Sequence, residues 1–291
     1  MWHCPLCKSP ISLDTQQIMC PNRHSFDKAK SGYVNLLPVQ FKKSKLPGDD
    51  KDMVRARREF HKLNAYLPLK ERMISLLRDA LSKKDIHSEL LDEGHKSNLI
   101  NIYDAGCGEG SYLDAIIDGL LSKGLAVNGA GSDIAKIAVE LAAKAFKRSQ
   151  FVVASSFDLP LGDDSQDVII QVFAPGSNDE YLRALRDHGL LLTVDPAPNH
   201  LFELKTMIYD DPKQHQLEDA PRVGFTRLHN EIFTFSIDFK SHDHVLALIK
   251  MTPFYWKLPE GKIKEIVKTL TSVSADFHIQ LWQKHNSEDV Q

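Results

Sequence analysis

Two rhythms of hydrophobic residues alternate along the chain: short apolar runs, and longer stretches with apolar positions three and four apart. The first predicts buried strands and the second amphipathic helices, so the fold class is α/β. Strands are expected at residues 99–103, 127–133, 151–154, 167–173, 190–194, 231–239 and 276–282, seven in all, and mostly parallel. Helices are expected between them, from Ser111 onward and at 134–147, 180–188, 200–209, 242–250 and 261–270. The last two strands suit an antiparallel hairpin closing the sheet. Residues 211–230 are polar and predict an irregular insertion. Ahead of the first strand, 53–62 has helical periodicity and a second helix is expected from Tyr66 to about Lys83. Residues 84–98 read as a long polar connection, and 42–50 as a breaker-bearing linker.

The chemistry concentrates where the first strand ends, at Asp104-Ala105-Gly106-Cys107-Gly108-Glu109-Gly110. Glycines there let the backbone turn sharply and a ligand approach closely. A dinucleotide fingerprint wants glycine where Ser111 stands, and Asp104 would repel a pyrophosphate. A carboxylate in that place suits a ligand bearing an ammonium group, such as the methionine end of S-adenosylmethionine. Asp133 ends the second strand, where acids accept hydrogen bonds from ribose hydroxyls. The pair resembles the cofactor site of the Rossmann-like, class I methyltransferases. In that fold Ser155 and Ser156, after the third strand, would meet the adenine edge.

Composition adds a second module. Cys4 and Cys7 form one knuckle, and Cys20 with His24 a second pair. Three thiolates and one imidazole at this spacing predict a structural zinc with no open coordination position. A segment so small has almost no core, so the metal is expected to supply most of its folding energy. The net charge of −3 hides an asymmetry, because residues 1–62 carry 12 Lys/Arg against 6 Asp/Glu. A basic front on an acidic body predicts contact with a polyanion. Lys42, Lys43, Lys45, Arg55, Arg57 and Arg58 are the candidates to track phosphates. No secretory leader and no membrane span are expected, which predicts a cytoplasmic protein.

Taken together, the Cys4–His24 finger, Gly32-Tyr33-Val34-Asn35-Leu36-Leu37, and Met53…Ala56-Arg57-Arg58 resemble the large-subunit (23S) ribosomal RNA guanine-N1 methyltransferases. The likeness continues through Asp104…Gly110, Val153-Ala154-Ser155-Ser156 and Phe173-Ala174-Pro175 to Met251-Thr252-Pro253-Phe254 and residues 277–282. It implies methyl transfer from S-adenosylmethionine to guanine N1, of the guanine-745 type, by a homodimer. It divides the chain into a zinc RNA-recognition domain (1–37), a basic linker (38–62) and a methyltransferase domain (63–291). It also implies cofactor contacts from Tyr66, Glu109, Gly110 and His200, beside Asp104, Gly106, Gly108 and Asp133. Phe173-Ala174-Pro175-Gly176 lacks the carboxamide or carboxylate that amine methylation uses, and no cysteine is free to attack a pyrimidine. A ring nitrogen or oxygen remains as the acceptor, with Asp195 or His200 as the candidate proton acceptor. The alternatives are a small-molecule methyltransferase, which leaves the finger and basic linker unexplained, and a non-catalytic RNA-binding protein, against which the intact glycine loop counts.

Overall fold

The computed structural model describes residues 2–41, 48–82 and 99–286. Lys42, Lys43, Lys45 and the 84–98 connection lie outside the described residues. The chain builds a small two-stranded ribbon, β1 (Ile18–Met19) against β2 (Ser25–Phe26), and one large sheet. That sheet comprises β3 (Val34–Asn35), β4 (Ile100–Ala105), β5 (Val127–Asp133), β6 (Gln150–Val153), β7 (Gln166–Val172), β8 (Leu185–Pro196), β9 (Phe225–Asp238) and β10 (Ser272–Lys284). Their spatial order is β3-β6-β5-β4-β7-β8-β10-β9. The pairs from β3 to β8 are parallel, and β10 runs antiparallel to both β8 and β9. This is the class I methyltransferase arrangement with its closing hairpin.

The sheet has eight strands rather than the expected seven. The extra one comes from the metal-bearing segment, where Val34 and Asn35 pair with Val152 and Val153. Leu36 then donates its N–H to the Val153 carbonyl at 2.9 Å. Successive residues of a strand face opposite layers, and β4 shows what this does to the core. Ile100 and Ile102 join one buried cluster with α2 (Leu67–Leu81) and α3 (Ser111–Leu121). Tyr103 and Ala105 join another with Trp2, Cys4, Ile11, Leu13, Ile18 and Cys20. The ribbon therefore shares a core with the sheet instead of relying on metal alone. Trp2 packs edge-on against Tyr103, with ring centroids 6.0 Å apart.

Two elements differ from expectation. After α4 (Lys136–Ala145), the helix expected to reach His188 is α5 (Asn178–Ala184), because Leu185 already pairs with Gln166. Ladder pairing resumes at Val168 with Leu190, so residues 186–189 bulge out, and Arg186 reaches back to the Asp167 carboxylate. Strand β9 begins at Phe225, inside the stretch read as irregular, because the long β10 partners it as far as Lys284. Among the described residues no helix is long and apolar enough to cross a membrane.

Candidate active site

The glycine loop forms between the end of β4 and α3. Gly106 has φ 94° and Gly110 φ 89°, both left-handed. A Cβ on Gly106 would lie 2.3 Å from the Ala174 Cβ, and one on Gly110 2.9 Å from the Phe146 ring. Neither conformation nor space admits a side chain. The N–H groups of Gly106 and Cys107 both bond the Ser132 carbonyl, which holds the loop over the end of β5.

Beside this loop lies a cavity of about 620 Å³ that Gly106, Gly108, Glu109, Asp133, Ser155, Ser156, Tyr66 and His200 help to line. Asp104, near the end of β4, is not among the lining residues; it is 1% exposed, and one of its oxygens, Oδ1, is buried without a hydrogen-bond partner. Burial first, then the charges of Asp133 and Glu109, push its carboxyl well above the usual range. A buried, unpartnered carboxylate is costly unless a cation answers it, so Asp104 fits an ammonium group. Asp133 accepts the N–H of Gly108 (2.9 Å) and of Ala135 (2.7 Å). Those two bonds fix its carboxylate at the cavity wall with lone pairs left to accept further donors. Glu109 is held by the Ser111 hydroxyl.

A wall of the same cavity comes from the basic segment. Helix α1 (Lys51–Lys62) is capped by Asp50, whose side chain accepts the N–H groups of Asp52 and Met53. Its buried residues include Met53, Val54, Phe60 and His61. Arg57 lies on the same face as Met53 and His61, at four-residue spacing. It lines the cavity with Gly48, Asp49 and His61, and bonds the Asp49 carboxylate at 2.6 Å. The expected phosphate-tracking role thus divides: Arg55 is exposed, Arg58 half-buried, and Arg57 turned to the cavity. Asp49, Arg57, His61 and Tyr112 are cavity residues that sequence reasoning missed. The Met53–Arg57–His61 spacing was the available signal, since it sets a charge and an imidazole on an apolar face. His61 Nδ1 and the Tyr112 hydroxyl are buried without partners.

Tyr66 precedes α2, fully packed, with its ring 5.2 Å from Phe60 and 5.3 Å from Phe277. His200 sits 4.9 Å from the Phe277 ring and 5.7 Å from Phe173. Its Nδ1 accepts the Asp276 N–H at 3.3 Å, which leaves the proton on Nε2. Burial, with the charge of His215 next, lowers its pKa to about 4. At neutral pH this imidazole is an uncharged hydrogen-bond donor. Asp195 lies elsewhere, in a second cavity of about 740 Å³ that shares only Phe173, Ala174, Pro175 and Pro196 with the first.

In the ribbon, the ligand atoms of Cys4, Cys7, Cys20 and His24 all lie within 4.8 Å of one another. Cys7 and Cys20 sulfurs are 3.7 Å apart, and His24 Nδ1 is 3.6 Å from Cys4 and 3.4 Å from Cys20. A tetrahedron with zinc–sulfur bonds of about 2.3 Å has edges of about 3.8 Å, so the four groups fit the ion.

Residues 2–45 match the zinc-ribbon family profile described as RlmA, N-terminal, and 103–193 a methyltransferase domain profile. A Streptomyces fradiae protein named 23S rRNA (guanine(748)-N(1))-methyltransferase is 33% identical over 281 residues, covering 93% of this chain and 91% of its own. The chain belongs to the 23S rRNA guanine-N1-methyltransferase family. A Bacillus subtilis (strain 168) protein, YxjB, whose name places it provisionally in the same family, is 30% identical over 96% of both chains. Among solved structures, the Bacillus subtilis YcgJ protein aligns with a TM-score of 0.43 and 16% identity, covering 70% of this chain and 99% of that one. As a member of the family, the chain is an S-adenosylmethionine-dependent methyltransferase with a structural zinc. The thiolate–imidazole cluster fits that zinc, and the orphaned Asp104 oxygen is compatible with a cationic group of the methyl donor.

Proposed function

We propose that this enzyme methylates N1 of a guanine in 23S ribosomal RNA. The observation that carries the reading is the joining of two modules in one core. A zinc ribbon and a basic helix are built directly onto a methyl-donor cavity, with Val34–Asn35 continuing the cavity's own sheet. The relatives of nearly equal length carry the same activity in their names. A small-molecule methyltransferase has no need of either module.

S-Adenosylmethionine supplies a methyl group made electrophilic by the sulfonium. In this reading Asp104 holds its ammonium and Asp133 its ribose hydroxyls, while Ser155 and Ser156 meet the adenine. Arg57, with the unpartnered Tyr112 hydroxyl and His61, faces its carboxylate. Tyr66, Glu109 and His200 complete the enclosure, with the His200 Nε2–H as a neutral donor, and Gly110 acts on the cofactor by turning the loop into α3. Lys42, Lys43, Lys45, Arg55 and Arg58 track the RNA backbone, which positions without specifying sequence. The enzyme acts in the cytoplasm as a homodimer. The test is transfer of labelled methyl from S-adenosylmethionine to unmodified 23S RNA, against a panel of small amines, phenols and quinones. Label in 1-methylguanine supports the reading, and label only in a small acceptor overturns it.

A further inference from the structure

The second cavity is lined by Gln171, Asn178, Asp195, Glu218, Arg222 and Gln280, and walled by Phe173-Ala174-Pro175 and Pro196. Those wall residues also line the cofactor cavity, so groups seated in the two cavities meet at the ends of β7 and β8. Three polar liners are already engaged, Asn178 by donating to the Val223 carbonyl at 3.0 Å. Gln171 accepts the Tyr181 hydroxyl at 3.0 Å, and Gln280 donates to Asp219 at 3.2 Å. Asp195 is different, because its carboxylate accepts no hydrogen bond from any other described residue. Phe173 reaches the shared wall with φ 52°, a left-handed conformation that costs a non-glycine residue energy, and the residue stays 40% exposed.

We propose that this cavity seats the acceptor guanine, with the Asp195 carboxylate on its N1–H and 2-amino edge. The inference rests on the guanine-N1 reading above and deepens it. Guanine alone among the four bases presents two adjacent donors, N1–H and the 2-amino group, which match the two oxygens of a carboxylate. Adenine and cytosine present a ring-nitrogen acceptor there, and uracil flanks its N–H with two carbonyls. None of the three offers a carboxylate two adjacent donors. Arg222 lines the same cavity, and its charge acts on Asp195, so it supplies the donor that guanine O6 needs. The exposed Phe173 ring offers a face for stacking.

The N1 proton passes to Asp195 while the N1 lone pair forms the new bond to the methyl carbon. The carbon–sulfur bond breaks, and its electron pair converts the sulfonium to a thioether. The products are neutral 1-methylguanine and a protonated Asp195, which returns its proton to solvent. Burial raises the proton affinity of Asp195 above that of an exposed carboxylate, which favours the acceptance.

Inosine, which lacks the 2-amino group, tests this directly when placed at the mapped target position of an RNA substrate. The wild-type enzyme should show kcat/KM lower by about tenfold or more on inosine than on guanine, the usual effect of losing a hydrogen bond to a charged acceptor. Asp195→Ala should be slow on both RNAs and lose the preference between them. Asp195→Asn, nearly the same in shape, should also lose it, which keeps the test valid should the alanine variant fail to fold. Calorimetry with S-adenosylmethionine should show unchanged affinity in a folded variant. A guanine preference as large in both variants as in the wild type would overturn the proposal. A wild-type enzyme that forms no 1-methylguanine at all would overturn the guanine-N1 reading and the pocket with it.

Discussion

Replacing Arg57 with alanine separates the two roles open to the basic helix. The side chain is 30% exposed, bonded to Asp49, and turned to a cavity that Gly108, His61 and Tyr112 also line. A charge-assisted hydrogen bond is worth about 1.5–3 kcal/mol. Solvent at a site about one-third open screens part of that, leaving roughly 1–2 kcal/mol, or a cofactor affinity lowered about 5- to 30-fold. The substitution also leaves Asp49 facing Asp133 without the guanidinium that acts on Asp133 now. Titration calorimetry reads the effect, with S-adenosylmethionine compared against 5′-methylthioadenosine, which has no carboxylate. Arg57→Ala should weaken the first and spare the second, and Arg55→Ala and Arg58→Ala should spare both. If Arg57→Ala leaves S-adenosylmethionine binding unchanged, or weakens both ligands equally, Arg57 does not hold the carboxylate.

Cys20→Ser or a chelator should remove zinc, and with it the order that keeps Trp2 on Tyr103. Losing a buried tryptophan costs about 3–5 kcal/mol, so the whole enzyme should melt roughly 6–20 °C lower, and an unchanged Tm would refute the shared core. His200 should not titrate between pH 5 and 8 when its ring is followed by NMR, because its folded pKa is about 4. The sign for stability follows from linkage: the unfolded imidazole binds a proton at about pH 6.5, so His200 destabilises the fold increasingly as pH falls from 6.5 to 4 and not above. RNA affinity should fall steeply with salt, and Arg55→Ala with Arg58→Ala should flatten that slope without moving the methylated base; an unchanged slope would place the RNA elsewhere.

Periodicity revealed the parallel strands β4 to β8 well because each is largely buried on both faces, and the glycine loop because its conformation admits no side chain. The positions of Asp104 and Asp133 were legible for the same reason, since they sit where those strands end. Other features depend on partners distant in the chain. Val34–Asn35 reads as the tail of a finger, and no local pattern shows that β6 offers an unpaired edge. Residues 185–188 continue a helical pattern, yet Leu185 is claimed by the ladder to Gln166. Arg57 shares a face with Met53 and His61, but no local pattern shows that this face borders a cavity. Asp195 and His200 stand five residues apart, but the ends of β7 and β8 divide them between two cavities.

In the proposed function, the donor cavity serves a guanine of ribosomal RNA brought to it by the ribbon and the basic helix. Mapping 1-methylguanine in 23S RNA tests it most directly, by primer extension and mass spectrometry on RNA from cells with and without the gene. One N1-methylated guanine should be absent without the gene and restored by the wild-type copy, though not by Asp195→Ala. Identical modification of 23S RNA in the two strains, with this cofactor cavity still binding S-adenosylmethionine, would contradict the account.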